Sequence, residues 1–250
     1  MKERFGAQNP ESMRLRFHCQ TAAATLTKPQ YKINIVRTAI QALSAVLGGA
    51  QSLHTNGMDE AFSIPTEEAM KIALRTQQII AEEVHVTEVV DPMGGSYYLE
   101  SLTTDCQRRI FEIIAAVETN GGTIKLIEEG WFQRHIADFA YEQALNKQSG
   151  DKPVIGVNLY REENEVQDLE TYPHDPTAEK RQIERLQCIR HEGDNNKVQA
   201  LLDQRVKVAK DDTQNVMPLT IELVKAGASM GGIIARLKLL WGTYREVPVF

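Results

Sequence analysis

The chain has 250 residues, with 28 lysines and arginines against 34 aspartates and glutamates and a formal net charge of −6. That length can bury a sizeable core as one domain or two, and the interspersed charges give no reason to expect nucleic acid or an anionic membrane as partner. No apolar run approaches the ~18 residues of a membrane span; the start Met1-Lys2-Glu3-Arg4-Phe5-Gly6 holds no signal-peptide segment, and Cys19, Cys106 and Cys188 are odd in number and lack metal-ligand spacing, so a cytoplasmic protein with reduced thiols and no bound metal is expected.

In chain order, the stretches Arg16-Phe17-His18-Cys19-Gln20-Thr21 and Gln51-Ser52-Leu53-His54-Thr55-Asn56 each read as a strand ending in polar side chains. Between them Ile33, Val36, Ile40, Leu43 and Leu47 recur at helical spacing and stop at Gly48-Gly49. Parallel strands need such a crossover, and ligands are met at the carboxyl ends of the strands it joins. Alternation puts Arg14, Arg16, His18 and Gln20 opposite Met13, Leu15 and Phe17, and Ala50, Ser52, His54 and Asn56 opposite Gln51, Leu53 and Thr55. One mainly polar face per strand suits a barrel lined for a polar ligand and equally an open sheet with one wet face.

Pro65 and Thr66 then open a helix with Met70, Ala73, Leu74, Gln77, Ile80, Ala81 and Val84 on one side and Thr66 as its N-cap. The run Asp91-Pro92-Met93-Gly94-Gly95-Ser96-Tyr97-Tyr98-Leu99-Glu100 is expected to shape a turn. Cys106, Ile110, Ile113, Ile114 and Val117 mark a third helix ended by Asn120-Gly121-Gly122, and one helix or a pair is expected over 123–147 around Trp131, Phe132, Ile136, Phe139 and Ala140. All these stripes read as core. Beyond Ser149-Gly150-Asp151-Lys152-Pro153, Val154-Ile155-Gly156-Val157 reads as a short strand, followed by an irregular polar connection through Asn164, Asp168, Pro173 and Asp175 to Pro176. Helices are expected again over 177–191, 194–210, 216–226 and 230–241, the charged run at 179–190 being a solvated face.

Several of these motifs together closely resemble the adenosylcobalamin-dependent acyl-CoA mutases, of which methylmalonyl-CoA mutase is the best-known member. They are the stretch from Arg16 to Thr21, the run Val46-Leu47-Gly48-Gly49-Ala50-Gln51-Ser52-Leu53-His54-Thr55-Asn56 with Asp59-Glu60-Ala61 after it, the run from Asp91 to Glu100, Val154-Ile155-Gly156-Val157-Asn158, and the final Trp241-Gly242-Thr243-Tyr244. The resemblance implies an α/β, mostly helical chain: the last β-α-β part of a (β/α)8 TIM barrel in 1–150, then a helical region in 151–250 that wraps the barrel. It also implies a radical 1,2-rearrangement of an acyl-CoA, of the methylmalonyl-CoA to succinyl-CoA type. No Asp-x-His-x-x-Gly sequence occurs, so no cobalamin domain is expected. The expected partners are an acyl-CoA substrate, a chain carrying the first six barrel strands, and a cobalamin-binding subunit or domain sharing adenosylcobalamin.

By the same resemblance, His18 and Gln20 are the catalytic candidates; Gln20, Ala23, Asn56, Glu60 and Ser63 are cofactor contacts; and Gln51 and Ser52 lie near the acyl-CoA chain. Gln20 falls near the corrin face, and Asn56 and Glu60 match positions that hold the adenosyl ribose, whose diol suits a carboxylate acceptor. Family members commonly carry Gly where this chain has Ala23. Each residue also has a structural reading: His18 and His54 as residues bonded to barrel neighbours, Asn56 and Glu60 as caps after the second strand, Arg14 and Arg16 as partners of carboxylates rather than of CoA phosphates. Two other functions stand beside the mutase reading: a catalytically idle truncated fragment and a non-catalytic assembly module.

Overall fold

A computed structural model describes residues 1–164, 169 and 171–246. The part of the irregular connection at 165–168 and 170, including Asp168, lies outside the described residues. The described residues are mostly helical with one small parallel sheet, an α/β chain, and they divide into two compact units, one up to Pro173 and one from His174 on.

In the first unit, a short helix α1 (Lys2–Phe5) and a 3-10 turn at Pro10–Met13 precede β1 (His18–Gln20). The segment from Met13 to Phe17 is not strand as its alternation predicts, because Asn9 caps a turn with Pro10 in it: the Asn9 side chain accepts from the Glu11 N–H. Arg14 and Arg16 both reach back to Glu11, at 2.9 and 2.7 Å, which is their carboxylate-pairing alternative. Helix α2 (Asn34–Leu47) crosses over to β2 (Ser52–His54), and the strands pair in parallel with His18 opposite Ser52, Cys19 opposite Leu53 and Gln20 opposite His54.

The expected apolar stripe of α2 is not the face that packs. Val36 and Ile40 are 55 and 62 % exposed, whereas Asn34, Thr38 and Ala42, spaced at i, i+4 and i+8, are buried. Helix α3 (Glu67–Glu82) meets α2 with a matching row of small side chains, burying Ala69, Ala73, Thr76 and Ile80 while Met70 and Leu74 stay exposed. Small residues on both helices let the backbones approach closely. Tyr31, Met58 and Ala69 form the core beside them, with Phe62 edge-on to Tyr31 at 5.8 Å. Thr66 caps α3 as expected, its hydroxyl accepting from the Ala69 N–H, and Glu67 and Glu68 in the first turn suit the positive end of the helix.

Helix α4 (Tyr97–Thr119) begins well before Cys106 and takes in the end of the expected turn, with Glu100 in its first turn accepting from the Gly95 N–H. It is followed by α5 (Thr123–Glu128) and α6 (Trp131–Ser149). Neither α4 nor α6 has a buried residue: Ile110, Phe111 and Ile113 on α4 and Ile136 and Phe139 on α6 are more than half exposed. The stripes are where the periodicity puts them, but a stripe becomes core only where another surface covers it. The run from Val154 forms a turn instead of a strand, with a single parallel bridge between Ile155 and Leu159.

The second unit holds α7 (Ala178–Glu192), α8 (Asn195–Ala209), α9 (Met217–Lys225) and α10 (Met230–Trp241), each within two residues of its expected bounds. Leu202, Leu223 and Ile233 make its core, and the buried Arg205 donates from Nε to Thr220 Oγ1 at 2.9 Å. Before α7, the Thr177 hydroxyl and then the Thr177 N–H, both donating to Asp175, hold that carboxyl below its ordinary range. No described helix is long and apolar enough to cross a membrane.

Candidate functional site

The two strands lie side by side, and polar side chains join them from the first rung to the carboxyl ends. His18 Nδ1 lies 2.7 Å from Ser52 Oγ across the ladder, and both residues are exposed. Gln20 donates from Nε2 to Asn56 Oδ1 at 2.9 Å. Asn56, only 2 % exposed, donates from Nδ2 to the Thr21 carbonyl at 2.8 Å, and its own N–H goes to Thr21 Oγ1. His18, Gln20, Ser52 and Asn56 therefore share one face, as their alternation predicts. Leu53 and Thr55 belong to the other face, where Thr55 donates to the Ala73 carbonyl on α3 and accepts from Gln77.

Gln51 stands apart from this group. Its Oε1 accepts from the Phe17 N–H at 2.8 Å and its Nε2 donates to the Gly49 carbonyl, so it ties the entrance of β2 to the end preceding β1. Ala23 sits in a short 3-10 turn, Ala23–Thr25, in the loop after β1. Glu60 and Ser63, both half-buried, lie in the turn after β2; the Glu60 N–H closes on the Gly57 carbonyl, and the Ser63 hydroxyl donates to the neighbouring Ile64 carbonyl. The shared face of the two strands thus brings together His18, Gln20, Ser52 and Asn56, with Ala23, Glu60 and Ser63 on the loops that continue from the strands' carboxyl ends.

Two residues that the sequence reading passed over hold these loops. Asp59 is fully buried, and its Oδ2 accepts both the Thr66 N–H and the Thr66 hydroxyl, closing the turn that carries Glu60 onto the start of α3. Its Oδ1 is buried without a partner among the described residues and lies so near Gly57 that a Cβ there would come within 2.7 Å of it. Thr21, 5 % exposed, is the acceptor through which Asn56 fastens β1. The sequence signal for Asp59 was an acidic residue leading a Pro-containing loop into a capping Thr; for Thr21 there was only its place at a strand end.

The family model described as methylmalonyl-CoA mutase matches residues 1–243. The chain is 71% identical over 250 residues to the 2-hydroxyisobutanoyl-CoA mutase large subunit of Aquincola tertiaricarbonis, covering 100% of this chain and 44% of that protein. It is 37% identical over 247 residues to the methylmalonyl-CoA mutase of Rhizobium meliloti (strain 1021), covering 98% of this chain and 35% of the relative. Against the methylmalonyl-CoA mutase large subunit of Porphyromonas gingivalis it is 38% identical over 246 residues, covering 97% and 34%. The chain spans less than half the length of each of these relatives. With the family's model matching nearly from end to end, the chain belongs to the methylmalonyl-CoA mutase family.

Proposed function

We propose that this chain is part of an adenosylcobalamin-dependent acyl-CoA mutase, an isomerase that rearranges the carbon skeleton of a branched acyl-CoA and that works in the cytoplasm with partner chains. Residues 1–150 contribute the last two strands of a β/α barrel with their helices, and 151–250 a helical region around it. A chain carrying the other six strands closes the cylinder, and a cobalamin-binding subunit or domain delivers the cofactor. The observation that carries the reading is the sheet itself: β1 and β2 pair in parallel only with each other among the described residues, they share a polar face that runs from His18 and Ser52 at their first rung to Gln20 and Asn56 at their carboxyl ends, and each leaves an outer edge of backbone donors and acceptors that another strand must meet. The relatives named as large subunits favour a multi-chain enzyme over the idle fragment and the assembly module.

The donor set suits the cofactor. Glu60 offers a carboxylate and Ser63 a hydroxyl to the adenosyl ribose, and Gln20, with Nε2 given to Asn56, keeps Oε1 as an acceptor for the amide-bearing edge of a corrin. Asn56 serves the ribose indirectly, by setting the strand end from which Glu60 follows. Ala23 packs on the corrin side of the loop after β1. Bound adenosylcobalamin supplies the radical chemistry.

The chain's own residues orient the acyl group and keep water from it. His18 is held by Ser52: when the Ser52 hydroxyl donates to Nδ1, Nε2 carries the ring N–H and is the donor for the thioester carbonyl. Ser52 and Gln51 lie along the acyl-CoA chain, Gln51 through the strand entrance it holds. The test is to co-express the chain with candidate partners, add adenosylcobalamin and assay a panel of branched acyl-CoAs, including the 2-hydroxyisobutanoyl and methylmalonyl thioesters. Isomerisation that requires this chain supports the reading; a folded assembly containing the missing strands that neither binds the cofactor nor isomerises any thioester overturns it.

A further inference from the structure

Asn34, in the first turn of α2, is fully buried, and its amide uses all of its hydrogen-bonding capacity on groups outside its own helix's backbone. Its Oδ1 accepts from the Thr27 N–H at 3.1 Å and from Arg37 Nη1 at 2.7 Å; its Nδ2 donates to the Thr27 carbonyl at 2.9 Å and to the Met58 carbonyl at 3.0 Å. Thr27 lies four residues past Ala23 in the loop after β1, and Met58 lies two before Glu60 in the loop after β2. The Arg37 guanidinium carries the link on to Thr27 Oγ1 and the Ile155 carbonyl, both at 2.8 Å.

An Asn so close to a helix start ordinarily caps that helix. Here no side chain caps α2, so the amide's burial is compensated only while both loops are in place. If either loop moves away, a buried donor or acceptor is left unpaired, which costs more than the bond itself is worth. The two loops are therefore coupled through one side chain.

We propose that Asn34, braced by Arg37, is a positioning residue for the cofactor site: it locks the loop bearing Ala23 to the loop bearing Glu60 and Ser63, so that the two sides of the corrinoid lip are set together. This rests on the mutase reading for what the loops hold, but the coupling itself is a property of the chain. In the enzyme assembled with its partner chains, Asn34→Ala removes the link. Asn34→Asp keeps its size and turns a carboxylate oxygen toward the Thr27 and Met58 carbonyls.

Both substitutions are expected to raise amide hydrogen exchange by about tenfold in residues 21–30 and 56–63 together, and to weaken adenosylcobalamin binding by a similar factor in a spectroscopic titration, while KM for the acyl-CoA moves by less than about twofold. Glu60→Ala, run beside them, is expected to weaken the cofactor alone with exchange unchanged. If Glu60→Ala leaves the titration unmoved, the cofactor reading fails, and the exchange data still judge the lock. Faster exchange in one loop only, or in neither, in a folded Asn34 variant overturns the lock, as does cofactor affinity that survives loosening of both loops where Glu60→Ala abolishes it. Should both Asn34 variants fail to fold, Arg37→Gln, which withdraws the guanidinium but leaves the amide's other three bonds, is expected to raise exchange in 21–30 by about threefold; no rise there overturns the proposal equally.

Discussion

Asn56 and Glu60, four positions apart after β2, both read as ribose contacts, but their surroundings differ. Asn56 is buried and spends its side chain on Thr21 and Gln20, whereas Glu60 is half-buried and its backbone N–H closes on the Gly57 carbonyl. Replacing Asn56 by Asp puts an anionic oxygen against the Thr21 carbonyl. It is expected to destabilise the fold by about 2–3 kcal/mol, the cost of losing a buried donor, seen as a lower denaturation midpoint. Glu60→Ala is expected to leave that midpoint within about 0.5 kcal/mol, as for a substitution away from packed features, and to weaken the cofactor instead. A midpoint that falls with Glu60→Ala and holds with Asn56→Asp would exchange the two assignments.

Among the elements, α3 shows how local chemistry sets a functional loop. Thr66 caps the helix by accepting from Ala69 and donates to the buried Asp59, so one hydroxyl serves the helix end and the turn bearing Glu60. Thr66→Ala is expected to cost about 1–2 kcal/mol of stability, as for other lost caps, and thermal denaturation of the variant measures it. Thr66→Ser, which keeps the hydroxyl, should recover most of the loss; failure of Ser to do so would show that the methyl group, not the cap, matters.

This cap was legible in the sequence because capping chemistry is local, as were the four helices of the second unit and the crossover between the strands. Other features were not. The strand signal of Met13, Leu15 and Phe17 was overridden by the Asn9-Pro10 turn, and the start of α4 was hidden because Gly94-Gly95-Ser96-Tyr97-Tyr98 has the composition of a turn. The packing face of α2 was misread for a different reason: periodicity locates a stripe, but only the neighbour decides whether the wide apolar side or the small-residue side is covered. The strand-end polar group was legible in outline, since alternation fixes which side chains share a face, while the tie through Thr21 and the lock at Asn34 join residues 35 and 24 positions apart along the chain.

On the scale of the molecule, the first unit carries more apolar surface than its own packing covers. Phe111 and Ile113 on α4 are 60 and 59 % exposed and Phe139 on α6 is 62 % exposed, on helices without one buried residue. Monomeric proteins seldom leave so many large apolar side chains open, and such surfaces mark association. The open edges of β1 and β2 make the same demand in hydrogen bonds. If the completing chain supplies both, binding it should stabilise this chain by mass action, whether or not cofactor is present. The chain alone is expected to bind a hydrophobic dye, and mixing with the partner should raise the thermal midpoint and remove that binding. Paired substitutions of Phe111 and Phe139 by Ser should reduce dye binding by the isolated chain and weaken the complex by about 10²- to 10⁴-fold, on the order of 1.5–3 kcal/mol for each of the two buried aromatics lost. A chain that binds no dye alone, or a complex indifferent to both substitutions, would place the covering surface elsewhere.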